Sequence, residues 1–184
     1  YYGKAAVRYA HIRPLLNNNK WTLETGIELE AFQETNATII VKLLWQNQVV
    51  AETEQKIALI QGRNQTKAAI HVENPYLWNP HGHGEQNLYQ VSIEVFDEEG
   101  LSDYAQYETG FRTLDYVTCE NAAPGSLPYN VVLNGKKIYL KGVNILPLDM
   151  MYGAVTEEHY KEVLEGLAKA HINLVRVWGG GLIA

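Results

Sequence analysis

Cysteine is almost missing from this sequence: Cys119 is the only one in 184 residues. A lone thiol excludes an internal disulfide, so stability must come from a packed core, and it gives no reading of redox compartment. No apolar run approaches the roughly 20 residues that a membrane-spanning helix needs, so no membrane partner is expected. A signal-peptide pattern is also lacking. The chain opens on Tyr1 rather than Met, so it is expected to be an internal piece whose localisation signal is out of view, with the cytoplasm the favoured compartment. Positive charge is scarce as well. With 15 Lys and Arg against 21 Asp and Glu the formal net charge is −6. No basic block stands out, so no nucleic-acid partner is expected. What the chain does have is tyrosine, 12 residues of it, with 4 Trp and 46% hydrophobic content. That composition suits a β-rich globular fold, and the length allows one or two domains with real cores.

The first part of the chain has the period of strands. Ala6 to Leu16 is a mixed apolar run closed by the turn cluster Asn17-Asn18-Asn19. Trp21 to Phe32 alternates, with Trp21, Leu23, Ile27, Leu29 and Ala31 on one side, and Gly26 is expected to mark a bulge. Thr38 to Trp45, a segment resuming at Val49-Val50, Lys67 to Val72, Asn87 to Phe96 and Tyr104 to Phe111 complete about seven short strands. Asp97-Glu98-Glu99-Gly100 is a hairpin signal. Such a series predicts an all-β immunoglobulin-like sandwich over residues 1–115, without the inter-sheet cysteine pair of antibody domains.

Residues 116–184 change character. Asp115 to Pro128 reads as an irregular connector, and Asn134-Gly135 is a strong hairpin signal between Val131-Val132-Leu133 and Lys136 to Leu140. Ile138 to Val143 is expected as a strand ending near Asn144. Thr156 is a good helix N-cap, with Glu157 and Glu158 in the first turn, where the helix dipole favours negative charge. Tyr160, Val163, Leu164, Leu167, Ala168 and His171 fall on one helical face, and Asn173 ends the helix. Leu174 to Trp178 is a second strand, followed by Gly179-Gly180-Gly181. Strand, helix, strand is one βαβ unit, which places its strands in parallel and cannot bury its own faces. The last ~40 residues are therefore expected to be weakly stable by themselves and to pack on parts of the chain that are not present.

Four motifs, in order along nearly the whole chain, carry a family resemblance. Pro75-Tyr76-Leu77-Trp78-Asn79-Pro80-His81-Gly82-His83-Gly84, leading to Leu88-Tyr89, is similar to a segment of the sandwich domain of glycoside hydrolase family 2. Gly110-Phe111-Arg112 resembles the close of that domain. Val132 to Lys136 and Leu140 to Asn144 resemble the entry into the family's catalytic barrel. Asn173-Leu174-Val175-Arg176-Val177-Trp178-Gly179-Gly180-Gly181 resembles the second barrel strand in the β-mannosidase-like branch. One departure stands out: Asn144-Ile145-Leu146-Pro147-Leu148-Asp149 keeps Asn, Pro and Asp of that branch but lacks a Trp after the Asn.

The resemblance implies a sandwich followed by the truncated first βαβ portion of a (β/α)8 TIM barrel, in a parent acting on a β-linked oligosaccharide or glycoside. It implies a retaining glycosidase, most simply a β-mannosidase, whose two carboxyl groups lie about 5–5.5 Å apart. Those would sit at the ends of barrel strands four and seven, beyond this sequence, so no catalytic residue is expected here and the fragment alone is expected to be inactive. The expected substrate-binding residues are Arg176 as a cation holding the nucleophilic carboxylate, Trp178 as a stacking platform, and Asn144 and Asp149 as hydroxyl binders. A surface ion pair, a packed core Trp and ordinary loop residues would account for the same positions. An alternative function is a non-catalytic carbohydrate- or protein-interaction module. Gly179 to Ala184 also fits the dinucleotide pattern G-x-G-x-x-A, but the sequence ends before a helix could open and a charged Arg176 would be unusual in a buried parallel strand, so no cofactor is expected. His81, His83 and Glu85 are too few for a structural metal site, and no metal is expected.

Overall fold

The structure is a computed structural model that describes residues 3–180, the side chain of Tyr152 excepted. Two compact units divide the chain. The first runs up to Trp78 and resumes over Asn87–Arg112; the second combines Asn79–Gln86 with the residues from Thr113 onward. The division falls after Arg112, ahead of the 115/116 boundary read from the sequence, because the next residues pair with a later strand.

The first unit is a β-sandwich of seven strands: β1 (Ala5–Asn17), β2 (Lys20–Ala31), β3 (Thr35–Trp45), β4 (Gln48–Leu59), β5 (Gly62–Val72), β6 (Tyr89–Asp97) and β7 (Gly100–Thr109). One sheet has the order β1-β2-β5, the other β4-β3-β6-β7, with antiparallel neighbours throughout. Alternation decides which side of each strand is buried. In β2 the odd positions from Trp21 to Ala31 point inward and Glu24, Glu28 and Glu30 point outward. Leu23, Ile27 and Leu29 of one sheet share a core with Ile39, Val41, Leu43, Val91, Ile93 and Val95 of the other. Burying each such side chain contributes about 1.5–3 kcal/mol. The hairpins β1–β2 and β3–β4 turn on Asn18-Asn19 and Gln46-Asn47, all at positive φ, as two-residue turns between right-twisted strands require.

Two details differ from the sequence reading. Gly26 makes no bulge: the ladder runs unbroken through it, and the register shift between β1 and β2 lies at Val7/Tyr9. Apolar residues on both sides keep strict alternation, so the glycine occupies an ordinary outward position. Strand β4 reaches Leu59 and β5 starts at Gly62, longer than the hydrophobic pattern suggests. Glu52, Glu54, Lys56, Arg63 and Gln65 fill the outward positions there, and backbone pairing rather than burial extends the strands.

The start of β1 is held by side chains across the sandwich. The Lys4 N–H donates to Asp97 Oδ2 (2.8 Å), the Ala5 N–H to Ser102 Oγ (2.9 Å) and the Val7 N–H to Asp103 Oδ2 (2.7 Å). The Lys4 backbone donor, aided by that of Glu99, holds the Asp97 carboxyl below its ordinary range. A carboxylate depressed on folding contributes stability above its unfolded pKa and loses it as pH falls through the folded value. Between about pH 6 and about pH 3, urea denaturation is expected to show a larger stability loss for the wild type than for Asp97→Asn. Equal losses would remove Asp97 from the acid response.

In the second unit β8 (Leu114–Val117), β9 (Asn130–Leu133) and β10 (Lys136–Ile138) form an antiparallel sheet in the order β10-β9-β8. The segment read as an irregular connector thus begins with a strand. The Asn134-Gly135 turn is present, with φ of 50° and 76°, and the Asn134 side chain accepts the Thr113 N–H at 3.0 Å. Strand β11 (Gly142–Ile145) is separate from β10 rather than continuous with it. Helix α1 (Glu157–Lys169) starts where expected: Thr156 Oγ1 accepts the His159 N–H at 3.3 Å. It stops earlier than expected, and His171 lies beyond it at φ 56°, in the left-handed conformation that closes many helices. The side chains of α1 include none that is buried. Among the described residues no helix is long and apolar enough to cross a membrane.

Candidate functional site

Strands β11 and β12 (Leu174–Val177) are parallel, and α1 lies between them in the chain. Their register pairs Gly142 with Leu174, Val143 with Val175, Asn144 with Arg176 and Ile145 with Val177. Asn144 and Arg176 therefore stand side by side on one face near the C-terminal ends of both strands. The Arg176 guanidinium donates through Nη1 to Asn144 Oδ1 at 3.3 Å, a long bond between two exposed side chains. Among the described residues one guanidinium hydrogen is engaged, which leaves the other donors of the fork without a partner there.

Trp178 follows at once. Its backbone N–H donates to the Ile145 carbonyl at 3.0 Å, extending the parallel ladder past β12. Its indole is 46% exposed and lies over the backbone of Gly180, where an added Cβ would come within 2.6 Å of Trp178 Cη2. A side chain at Gly180 would displace the ring. Asp149 is exposed in the loop after β11, and its Oδ1 accepts the Met151 N–H at 2.7 Å. This is an Asx turn, so part of its carboxylate shapes its own loop. The structure thus brings Asn144 and Arg176 together, adds Trp178 to the same ladder through its backbone, and places Asp149 in the following loop, without a hydrogen bond to the other three among the described residues. Gly181 to Ala184 lie outside the described residues, and with them most of the dinucleotide-like pattern.

Asn173 plays a part that the sequence reading limits to ending the helix. Its Oδ1 accepts the Lys141 N–H at 2.8 Å, its Nδ2 donates to the Tyr139 carbonyl at 2.9 Å, and its own N–H donates to the Lys141 carbonyl at 3.0 Å. These bonds fasten the entrance of β11 to the entrance of β12 and so help set the Asn144–Arg176 register. In sequence this position shows only as an Asn just before an apolar run, with no sign of these bonds. His83 Nε2 lies 3.3 Å from the same Asn173 Nδ2, and His81 stacks on His171 with ring centroids 6.4 Å apart. Among the described residues no group of three or more His, Cys, Asp or Glu is arranged to hold a metal ion.

The outer surfaces around this pair of strands are apolar and uncovered. Val175, Val177 and Leu174 are between 36% and 43% exposed, and Tyr160 and Leu164 on α1 are 40% and 49% exposed. A parallel strand pair normally has both faces covered.

Comparison with known proteins gives a consistent family. The model of glycosyl hydrolases family 2 matches residues 5–112, more than half of the chain. The β-mannosidase A of Aspergillus terreus is 29% identical over 174 residues, which cover 88% of this chain and 18% of that protein. The β-mannosidase of Capra hircus is 26% identical over 98% of this chain and 21% of its own length. Among solved structures, the β-D-mannosidase of Dictyoglomus thermophilum superposes with a TM-score of 0.87 at 26% identity, covering 98% of this chain and 22% of that one. The chain spans about a fifth of the length of these relatives.

Proposed function

The chain belongs to glycosyl hydrolases family 2, and from that premise we propose that it is the segment of a β-mannosidase that links an immunoglobulin-like sandwich, residues 1–115, to the opening of a (β/α)8 barrel, residues 116–184. The observation that carries this reading is the parallel pairing of β11 with β12, with a helix between them and Asn144 beside Arg176 near the strand ends. Catalytic groups of such barrels sit at the C-terminal ends of the strands. The exposed apolar faces of α1 and β12 are those that later barrel elements would cover.

In the parent, a carboxylate from a later strand attacks the anomeric carbon while a second carboxyl protonates the departing glycosidic oxygen; water then releases the sugar with retention. Arg176 would hold and orient the nucleophilic carboxylate through its free guanidinium donors. Trp178 would offer its exposed ring to the apolar face of the sugar, and Asn144 and Asp149 would bind hydroxyls. Neither reacting carboxyl is assigned to this chain.

A panel of aryl β-glycosides tests the reading on the full-length parent. The β-mannoside is expected to turn over fastest, ahead of the β-galactoside and β-glucuronide, and the 184-residue chain alone is expected to turn over none of them. A parent that prefers another glycoside, or a fragment that hydrolyses the mannoside by itself, would overturn it.

A further inference from the structure

Gly26 has no role in the backbone that requires glycine. It sits mid-strand on the outward face of the β1-β2-β5 sheet, paired with His11 on one side and Lys67 on the other, without a bulge. It is absent from the positive-φ positions. A Cβ there would meet only His11, at 3.9 Å, so no neighbour in the chain needs the space. Glycine inside a strand is destabilising relative to alanine. In a strand interior it often marks a bulge, a tight bend or the close approach of a ligand or another backbone, and the unbroken ladder excludes the bulge.

The missing side chain makes the floor of a groove. Two adjoining hollows of about 500 and about 400 Å3 share His11, Gly26 and Lys67. Tyr9, Glu28 and Gln65 border the first, and Arg13 and Glu24 border the second. Tyr9 is 59% exposed and presents an aromatic surface. The carboxylates are held in place by their neighbours: Arg13 Nη2 lies 2.8 Å from Glu24 Oε2, and Arg8 Nε lies 3.6 Å from Glu28 Oε1. The His11 ring and the Lys67 ammonium have no hydrogen-bond or ion-pair partner among the described residues.

The chemistry of the groove narrows its occupant. Arg13 and Lys67 balance Glu24 and Glu28 in formal charge, which disfavours an ionic ligand. Tyr9, Gln65, His11 and the charged side chains supply both donors and acceptors to the groove, which neutral hydroxyls can use. A polypeptide fits less well. The strand under the groove is paired on both sides and offers no free backbone, unlike the edge at which peptides add as strands. Charged residues are also depleted from the centres of protein interfaces. We propose that this groove is a second, non-catalytic binding site for a β-linked oligosaccharide, of the class that the parent hydrolyses; the identity of that class rests on the function proposed above.

The test uses the full-length parent in native gels containing soluble β-mannan, alongside Gly26→Val and Tyr9→Ala. Valine favours strands, so Gly26→Val is expected to melt no lower than the wild type. Each substitution is expected to weaken retardation by the polysaccharide at least about fivefold, roughly 1 kcal/mol, while kcat/KM on an aryl β-mannoside stays within about twofold. Equal retardation of all three proteins, or none of the wild type, would overturn the groove. So would a bound protein that Gly26→Val releases while retardation is unchanged. A parent that fails on the aryl mannoside but is retarded by another β-glycan, in a Gly26-dependent way, would overturn the catalytic reading and leave the groove standing.

Discussion

Phe111→Ala is expected to destabilise the sandwich by about 3–5 kcal/mol, measured by urea denaturation followed through tryptophan fluorescence. Phe111 is fully buried and is the largest completely buried side chain among the described residues. Its ring meets Trp21 edge-on at 5.5 Å and Tyr89 at 5.0 Å, so truncation removes two aromatic contacts and leaves a cavity between them. Each such pair adds about 0.5–1.5 kcal/mol beyond the buried area. The backbone at this position has a second task, accepting the Trp78 N–H at 2.8 Å, which the alanine keeps. The loss should therefore come from packing alone. Phe32, half exposed, is the internal control, and its alanine variant is expected to change stability by about 0.5 kcal/mol. If Phe111→Ala costs no more than Phe32→Ala, the ring does not organise the core.

The surroundings of Phe111 also show why the sandwich was legible in sequence. Two of the motifs on which the family resemblance rests, Leu77-Trp78 and Gly110-Phe111-Arg112, are neighbours in space. Leu77 bridges to Phe111, an added Cβ at Gly110 would come within 2.8 Å of the Trp78 side chain, and the Arg112 guanidinium lies 4.9 Å from the centre of the Trp78 ring. The glycine and the cation both answer to Trp78, the Phe111 ring answers to Trp21 and Tyr89, and such requirements leave a trace in the sequence. Strict alternation did the same for β2 and β6. Where it fails to inform, burial is weak: the polar ends of β4 and β5 are held by backbone pairing and a few side-chain hydrogen bonds such as Gln55 to Thr66, and Gly26 carries no local signal of whether it bends a strand or clears a groove.

The second unit was less legible for a related reason. Its short strands bury few residues, Val131 and Leu133 chief among them, so hydrophobic period says little about β8 or about the break between β10 and β11. The helix start could be read because Thr156 and the two glutamates act locally, whereas the exit at His171 depends on a left-handed backbone that glycine or asparagine usually signals. The Asn144–Arg176 pairing could not be read from spacing, since 32 residues separate them and only the register of two strands joins them. Asn173, which helps to fix that register, makes its bonds mainly to backbone groups, and these leave no pattern in sequence.

Arg176→Ala in the full-length parent is expected to lower kcat/KM on an aryl β-mannoside by about 10²–10³-fold, the usual effect of removing one preorganised donor from charge that develops in a transition state. Among the described residues the exposed side chain makes one long bond, to Asn144, so the melting temperature should hardly move. That separation is the point of the experiment: an arginine serving only as a surface group would change neither quantity, and a structural one would change stability first. The loss should appear mainly in kcat, with KM little altered, if the guanidinium acts on the nucleophilic carboxylate rather than on bound sugar. Arg176→Lys is expected to recover only a small part of the rate, because a point charge cannot reproduce a planar fork that holds Asn144 with one hydrogen and a carboxylate with others. A kcat/KM within about threefold of wild type for Arg176→Ala would take the cation out of the reaction. The parallel strand pair would then remain as architecture, without a part in the chemistry.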